Sequence, residues 1–286
     1  MQKKALTGRT ARKAAGRQGA GGQRPYRSLA LHRRGGVEWL TLDRPRQLNA
    51  IDPVMADELL DYFGRLSVRD EVRVVVMRAA GRHFCAGIDL ATADALSANV
   101  PDGLRIQRQM SQIVLRMRRC PQPIVALVHG AACGAGFALV LAADVRYAAP
   151  DARINVAMAR IGLTGCDMGI SYFLTRSVGG SNAAELMMSG RFIDAERALR
   201  IGLVSDVVAF DALEAKADAL SGEMIGMSPL GLRLTKEGIA LAADAPSLEA
   251  AIALEDRGQV LCFGPYMQEG VAAFRAKRAA RYAGAQ

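Results

Sequence analysis

The 286-residue sequence predicts an α/β fold, mainly because of the order of its hydrophobic patterns. Up to about residue 210, short segments with strand-like alternation take turns with helical segments, which is typical of parallel strands joined by helical crossovers. Beyond Asp211 the apolar residues recur only at helical spacing. With 51% hydrophobic residues, the chain can bury a large core. We therefore predict a disordered basic tail at 1–24, an α/β core at 25–210 and a helical region at 211–286.

The first half of the core contains clear individual elements. Residues 37–43 alternate like a strand, and 72–80 form a continuous apolar run of the kind found in buried parallel strands. Between them, Asp52 followed by Pro53 predicts the N-cap and the first position of a helix.

The second half of the core repeats this alternation. Residues 103–120 form an amphipathic helical pattern that ends before Pro121, and 123–130 form the next apolar strand. A Gly-rich turn then leads into the apolar helical segment 136–144. A further strand and a short connection follow within 145–157.

The net charge of +9 is concentrated at the start of the chain. Residues 1–34 hold ten Lys and Arg and no acidic residue, which leaves a net charge of −1 for the rest. The folded part is therefore not expected to bind nucleic acid. The tail is rich in Gly, Ala and Arg, so it fits an organelle transit peptide, a solvated extension or a start codon assigned too early. No apolar run reaches the roughly 18 to 20 residues that span a bilayer.

The five cysteines are odd in number and scattered, without a C-x-x-C pair. This usage indicates reduced thiols in a cytoplasmic protein rather than a disulfide framework or a zinc site. The three histidines stand far apart in the sequence, and we expect no metal.

Two Gly-containing turns are the main candidates for a functional site, at 83–90 (HFCAGIDL) and 130–137 (GAACGAGF). Each follows an apolar strand and can present unpaired backbone N–H groups at a helix start, where the helix dipole favours negative charge. Two such turns facing one point would form an oxyanion hole. The alternative is that the glycines only permit close packing of a helix against the sheet.

Further motifs accompany these turns. The segments RPRQLNAID, HFCAGIDL, VHGAACGAGFALVLAADVRYAA, RIGLTGCDMGISYFLTRSVG, LMMSGRFIDAERALRIGLVSDVV and YMQEGVAAFRAKR occur in this order. Over about residues 26–280 the chain resembles the crotonase superfamily, also called the enoyl-CoA hydratase/isomerase family. The resemblance implies a spiral of ββα units and a C-terminal helical region that forms homotrimers or hexamers. It also implies binding of an acyl-CoA thioester, so that coenzyme A is part of the substrate and no separate cofactor is expected.

The resemblance also implies which residues form the site. The two oxyanion donors would be the backbone N–H groups of Ile88 and Ala135, with Gly134 and Gly136 beside the second donor. Because backbone donors need no particular side chain, Ile and Ala leave this chemistry possible. The residues implied to contact coenzyme A are Arg44, Arg46, Leu48, Ala50, Ala86, Gly87, Phe274 and Lys277. The last two would reach the adenine nucleotide, often across a subunit boundary.

The sequence departs from the hydratases of this family at two positions. Where those enzymes carry glutamates, this chain has Ala138 and Met158, and neither side chain can transfer a proton. Adding water to a double bond needs a base and an acid, each contributing about 10²- to 10⁴-fold. Hydration by the two-glutamate mechanism is therefore not expected.

Asp167 is a carboxylate that remains in this neighbourhood. It lies just downstream of Gly162 and Leu163, where the resembling dienoyl-CoA isomerases carry an aspartate, offset here by one residue. A single carboxylate can move a proton between carbons of an enolate, which is isomerisation. Asp167 could also cap a helix that starts at about Met168. The two roles do not exclude each other.

We therefore expect an enzyme that acts on enoyl-CoA in fatty-acid or related acyl-CoA degradation, with isomerisation favoured over two-glutamate hydration. Hydration with an unusual water-activating group stays open. The alternative is a non-catalytic acyl-CoA-binding homologue that keeps the pocket without the proton relay. Hydrolysis of a thioester or β-diketone is a third possibility, but it would need an activated water that the sequence does not place. The loop at 91–103 is expected to line the acyl pocket.

Overall fold

The computed structural model describes residues 26–89, 91–92 and 99–282. The basic tail predicted at 1–24 lies outside the described residues, as does the part of the acyl-pocket loop at 93–98. Strands and helices alternate up to Val207, and helices alone follow, as the sequence predicts. In the described part of the chain, no helix is long and apolar enough to cross a membrane.

A six-stranded sheet forms the centre of the fold. Its strands, in their order across the sheet, are β1 (Leu29–Arg34), β2 (Val37–Leu42), β3 (Val74–Ala79), β4 (Ile124–Val128), β6 (Val145–Ala148) and β9 (Asp206–Val207). β1 and β2 form an antiparallel hairpin, and each following pair of neighbours is parallel. The predicted strands at 37–43 and 72–80 correspond to β2 and β3.

A smaller sheet lies beside it, formed by β5 (Ala131–Cys133), β7 (Arg153–Asn155) and β8 (Ile193–Asp194). Isolated bridges extend this layer toward two loops, because Cys85 pairs with Ala132 and Ile88 pairs with Ile51. The two Gly-containing turns of the sequence therefore belong to one layer of the structure.

The helices surround these sheets. They are α1 (Pro53–Arg65), α2 (Val100–Arg119), α3 (Ala135–Ala142), α4 (Ile170–Ser189), α5 (Ala195–Arg200), α6 (Leu213–Ile225), α7 (Pro229–Ala242), α8 (Leu248–Cys262) and α9 (Pro265–Arg275). The predicted start of α1 is confirmed, since the Asp52 carboxylate accepts a hydrogen bond from the Met55 N–H at 2.8 Å and Pro53 is the first helical residue.

Both faces of the large sheet are buried, which explains the apolar character of its strands. On one face, Leu40 and Met77 belong to the main hydrophobic core, which also contains α3. On the other face, Trp39 and Val76 pack in a second cluster that includes Leu213 of α6. The sheet therefore has helices on both sides, as expected for parallel strands with helical crossovers.

The last helices are attached to this core through few buried side chains. In α7, Lys236 is buried, and its Nζ lies 3.0 Å from the Asp144 carboxylate and donates to the Gln122 carbonyl at 2.7 Å. In α8, no residue is buried. The C-terminal helices thus present much of their apolar surface to solvent in the single chain.

Candidate active site

The first candidate turn leaves the backbone N–H of Ile88 without a backbone acceptor among the described residues. The Ile51 N–H donates to the Gly87 carbonyl at 2.8 Å, and the Asp89 N–H donates to the Ile51 carbonyl at 3.0 Å. The Ile88 N–H lies between these two bonds and, within the described part of the chain, donates to no carbonyl. It is therefore available to a ligand.

The second turn ends in a helix start with free donors. The Gly134 N–H is held by the Asn155 carbonyl at 3.1 Å, and the first helical bond runs from the Ala138 N–H to the Gly134 carbonyl at 3.0 Å. Ala135 is the first residue of α3, and its N–H belongs to the first helical turn, whose donors have no partner inside the helix. Gly134 has φ 51 and ψ −117, a conformation that favours glycine.

The two turns lie against each other. A Cβ atom added to Gly87 would be 3.0 Å from the Cys133 carbonyl oxygen and 3.8 Å from the Ala135 nitrogen. One added to Gly136 would be only 2.4 Å from the Cys85 carbonyl oxygen. Both glycines therefore permit a backbone approach that a side chain would prevent, and this approach brings the two donor turns together.

The Asp89 carboxylate, next to the first turn, is paired with an arginine. Asp89 directly follows Ile88, and the Arg44 guanidinium lies 3.4 Å from its carboxylate and 3.1 Å from that of Asp52. Arg44 also donates to the Ala50 carbonyl. Because Arg44 pairs with both carboxylates and offsets part of their charge, an anion at the turn does not face an unpaired carboxylate.

The thiols beside the turns are neutral. Burial raises the pKa of the Cys85 thiol to about 12 and that of the Cys133 thiol to about 11. Neither thiol is a thiolate at physiological pH, so neither serves as a nucleophile. Across the described residues, no three His, Cys, Asp or Glu side chains come together as they would around a metal ion.

The two positions that the resemblance matches to hydratase glutamates are apolar and buried. Ala138 is fully buried in α3, and Met158 is nearly so. The Met158 Cε atom lies 3.9 Å from where a Cβ of Gly134 would be, which places this side chain beside the second turn. Neither of these apolar side chains can transfer a proton.

Asp167 is half-buried, and its carboxylate accepts a hydrogen bond from the Gln107 amide. The alternative role as a helix cap was wrong. Helix α4 begins at Ile170, with Gly169 as N-cap and no side-chain cap bond, because Met168 and Gly169 take left-handed φ angles of 43° and 80°. Asp167 therefore precedes the helix and remains available for other contacts.

The Asp167 loop packs against elements that adjoin both turns. A Cβ on Gly165 would be 2.5 Å from the Met187 carbonyl, so the loop packs on the end of α4. There the Asn155 amide donates to the Gly190 carbonyl at 3.0 Å, while the Asn155 backbone holds Gly134. On the other side, Ile106, next to Gln107, lines a cleft of about 580 Å³ together with Asp89.

The expected coenzyme A segment surrounds one buried side chain that sequence reasoning missed. The Asn49 side chain accepts from the Arg44 N–H and donates to the Ala80 and His83 carbonyls, each at 2.8 Å. It is fully buried at φ 54. This side chain fixes the loop, on which Arg46 and Leu48 are exposed and Ala50 is half-buried.

The remaining expected contacts lie in two places. Half-buried Ala86 donates its N–H to the Leu48 carbonyl at 3.0 Å, so the coenzyme A loop adjoins the first turn. Phe274 and Lys277 lie at the end of α9 instead, where Phe274 is 85% exposed. Their role in binding stays a prediction.

Comparisons with known proteins agree with this arrangement. Residues 32–285 match the family model for enoyl-CoA hydratase/isomerase. The chain is 37% identical to a probable enoyl-CoA hydratase of Mycobacterium bovis, covering 90% of this chain and 94% of the relative. It is 32% identical to the 1,2-epoxyphenylacetyl-CoA isomerase of Escherichia coli, covering 90% and 98%. A crystal structure of an enoyl-CoA hydratase from Mycobacterium smegmatis superposes with a TM-score of 0.84 at 32% identity, covering 90% of this chain and 99% of that one.

The similarity to solved structures of enoyl-CoA hydratases confirms the α/β crotonase fold predicted from the sequence. The chain belongs to the enoyl-CoA hydratase/isomerase family. That family includes both hydratases and isomerases among the relatives of this chain.

Proposed function

We propose that this protein acts on an acyl-CoA thioester through an enolate held by the Ile88 and Ala135 N–H groups. The observation that carries the proposal is the close approach of the two turns, in which the Ala135 nitrogen lies 3.8 Å from the Cβ position of Gly87. Preorganised backbone donors stabilise a developing oxyanion, and one donor typically contributes about 10²- to 10³-fold in rate.

The reaction we propose is double-bond isomerisation. Asp167 removes a proton from C2 of a 3-enoyl thioester, and the electron pair of that C–H bond forms an enolate whose oxygen accepts from both N–H groups. When the thioester carbonyl re-forms, the double bond moves to C2–C3 and C4 takes the proton back from Asp167. The buried Ala138 and Met158 supply no second proton-transfer group, which supports isomerisation over two-glutamate hydration.

The coenzyme A moiety would lie along the loop that carries Arg46, Leu48 and Ala50 and continue past Ala86 and Gly87. Arg46 is exposed and can approach phosphates, whereas Arg44 is already paired with two carboxylates. Arg44 therefore contributes mainly by shaping the loop. Phe274 and Lys277 are exposed on the C-terminal helices, in keeping with contacts to a nucleotide bound by another subunit.

The test is conversion of 3-hexenoyl-CoA to its conjugated isomer, together with deuterium uptake at C2 and C4 in D₂O. Asp167→Asn should lower both rates by about 10²- to 10⁴-fold, because the base is lost. Asp70→Asn, which changes an exposed carboxylate paired with Arg233, serves as the control and should leave both rates unchanged. Binding of thioester without turnover or exchange in the wild type would support the non-catalytic alternative.

A further inference from the structure

Helix α2 places an amide beside the proposed acid/base. The Gln107 Nε2 atom donates to the Asp167 Oδ1 atom, across 60 residues of sequence, and both side chains are half-buried. Ile106, the preceding residue of α2, lines the cleft beside Asp89. Gln107 therefore joins the helix that borders the first oxyanion turn to the loop that carries Asp167.

The backbone of this loop is already fixed without Gln107. Met168 is buried in the main core at φ 43, a costly conformation for a residue with a side chain. Gly169 has φ 80, and a Cβ there would lie 2.8 Å from the Phe173 ring. Before Asp167, Gly165 packs against the Met187 carbonyl, so the backbone is held on both sides of Asp167 and the rotation of its side chain remains free.

We infer that Gln107 is the positioning residue that orients the Asp167 carboxylate. This inference rests on the proposed role of Asp167 as base. In general, an N–H donor stabilises a carboxylate relative to the carboxylic acid, so removing the donor is expected to change the pH dependence of a reaction that uses such a base. Because Oδ1 is engaged by the amide, Oδ2 is the oxygen that faces the substrate proton.

The experiment measures isomerisation of 3-hexenoyl-CoA against pH for wild type, Gln107→Met and Gln107→Glu. Methionine keeps the length of the side chain but removes the donor, so kcat should fall about 10- to 100-fold, the effect of losing a hydrogen bond to a charged group, with KM within about twofold. The acidic limb of the pH profile should move to higher pH. Glutamate adds a like charge, so it should move that limb further than methionine does.

Gln112→Met is the matched control, since Gln112 is an exposed glutamine on the same helix. It should reproduce the wild-type profile. Thermal unfolding of each variant separates loss of fold from loss of orientation, because a merely structural role would lower stability without shifting the acidic limb.

Two results separate the inference from the function on which it rests. If Asp167→Asn abolishes turnover and Gln107→Met keeps the wild-type kcat and acidic limb, Gln107 does not position the base and the inference alone is overturned. If Asp167→Asn itself turns over at the wild-type rate, Asp167 is not the base, and both the proposed mechanism and the role of Gln107 are wrong.

Discussion

Two helices that both carry several apolar residues, α3 in the core and α8 near the C-terminus, differ completely in burial. Every residue of α3 is buried, whereas no residue of α8 is. Leu139 of α3 has no exposed surface, and Leu261 of α8 is 63% exposed. The apolar residues of α3 are explained by folding of one chain. Those of α8 are not, and extended exposed apolar surface usually marks an interface.

The neighbours of α8 share this exposure. Large apolar side chains protrude from the whole C-terminal region, at Met227, Ile239, Leu241, Leu248, Ile252, Val260, Leu261, Phe263, Met267, Val271 and Phe274. The core thus supplies its own hydrophobic partners, whereas the C-terminal helices leave much of their apolar surface exposed in the single chain. The trimer or hexamer implied by the family resemblance would supply partners for this surface.

The largest expected effect concerns this assembly. Wild-type protein should sediment with the mass of a trimer or hexamer, and Leu261→Asp should shift it toward the monomer because a carboxylate would be buried without a partner. Val68→Asp is the control, since Val68 is 81% exposed but belongs to the core region. A wild-type protein that sediments as a monomer would contradict the predicted assembly, because the apolar surface of α8 would then have no partner.

The next effect concerns the attachment of α7 to the core. Lys236→Ala removes a buried cation with its contacts to the Asp144 carboxylate and the Gln122 carbonyl, while Asp144 keeps its ion pair with Arg118. The free energy of unfolding should therefore fall by about 1.5–3 kcal/mol in denaturant titrations. Arg233→Ala is the control, because it removes a different ion pair of the same helix.

Arg233 pairs with Asp70 at 2.7 Å on the surface, where side-chain exposure is 37% and 81%. Such a pair contributes only about 0.2–1 kcal/mol. Equal losses for the Lys236 and Arg233 variants would mean that the buried contact does not attach the helix to the core.

The smallest expected change in stability comes from replacing a glycine by alanine, once in the core and once in the C-terminal region. Gly136→Ala places a Cβ 2.4 Å from the Cys85 carbonyl and should destabilise the protein by about 1–3 kcal/mol. Gly258→Ala lies inside α8 with nothing within 4 Å of the new Cβ, so it should stabilise by about 0.5–1 kcal/mol. Chemical denaturation measures both. A loss of stability at Gly258 instead would place that position within the interface.

The sequence predicted those features that depend on neighbouring residues. Asp52 and Pro53 mark the start of α1 because a cap needs only the next few N–H groups. The buried strand β3 was also found, since its apolar run is continuous. By contrast, β8 and β9 have two residues each, too few to give any periodic signal.

Features that depend on distant residues could not be predicted in this way. Arg44 looks like a free cation in the sequence, but Asp52 and Asp89 close around it in the structure. Gln107 sits on an ordinary amphipathic helix, and only the fold brings it to Asp167. The cap assigned to Asp167 failed because the left-handed turn at Met168 delays the helix to Ile170.

Asn49 has a consequence for how this site can evolve. One side chain there satisfies an N–H group and two carbonyls, and its backbone takes a left-handed angle that asparagine tolerates better than most residues. Glycine would keep the angle and lose all three bonds, and aspartate would turn two donated bonds into repulsions. Random mutation therefore has almost no acceptable replacement at position 49, whereas the side chain of the nearby residue Gln47 is exposed and can vary without breaking this set of bonds.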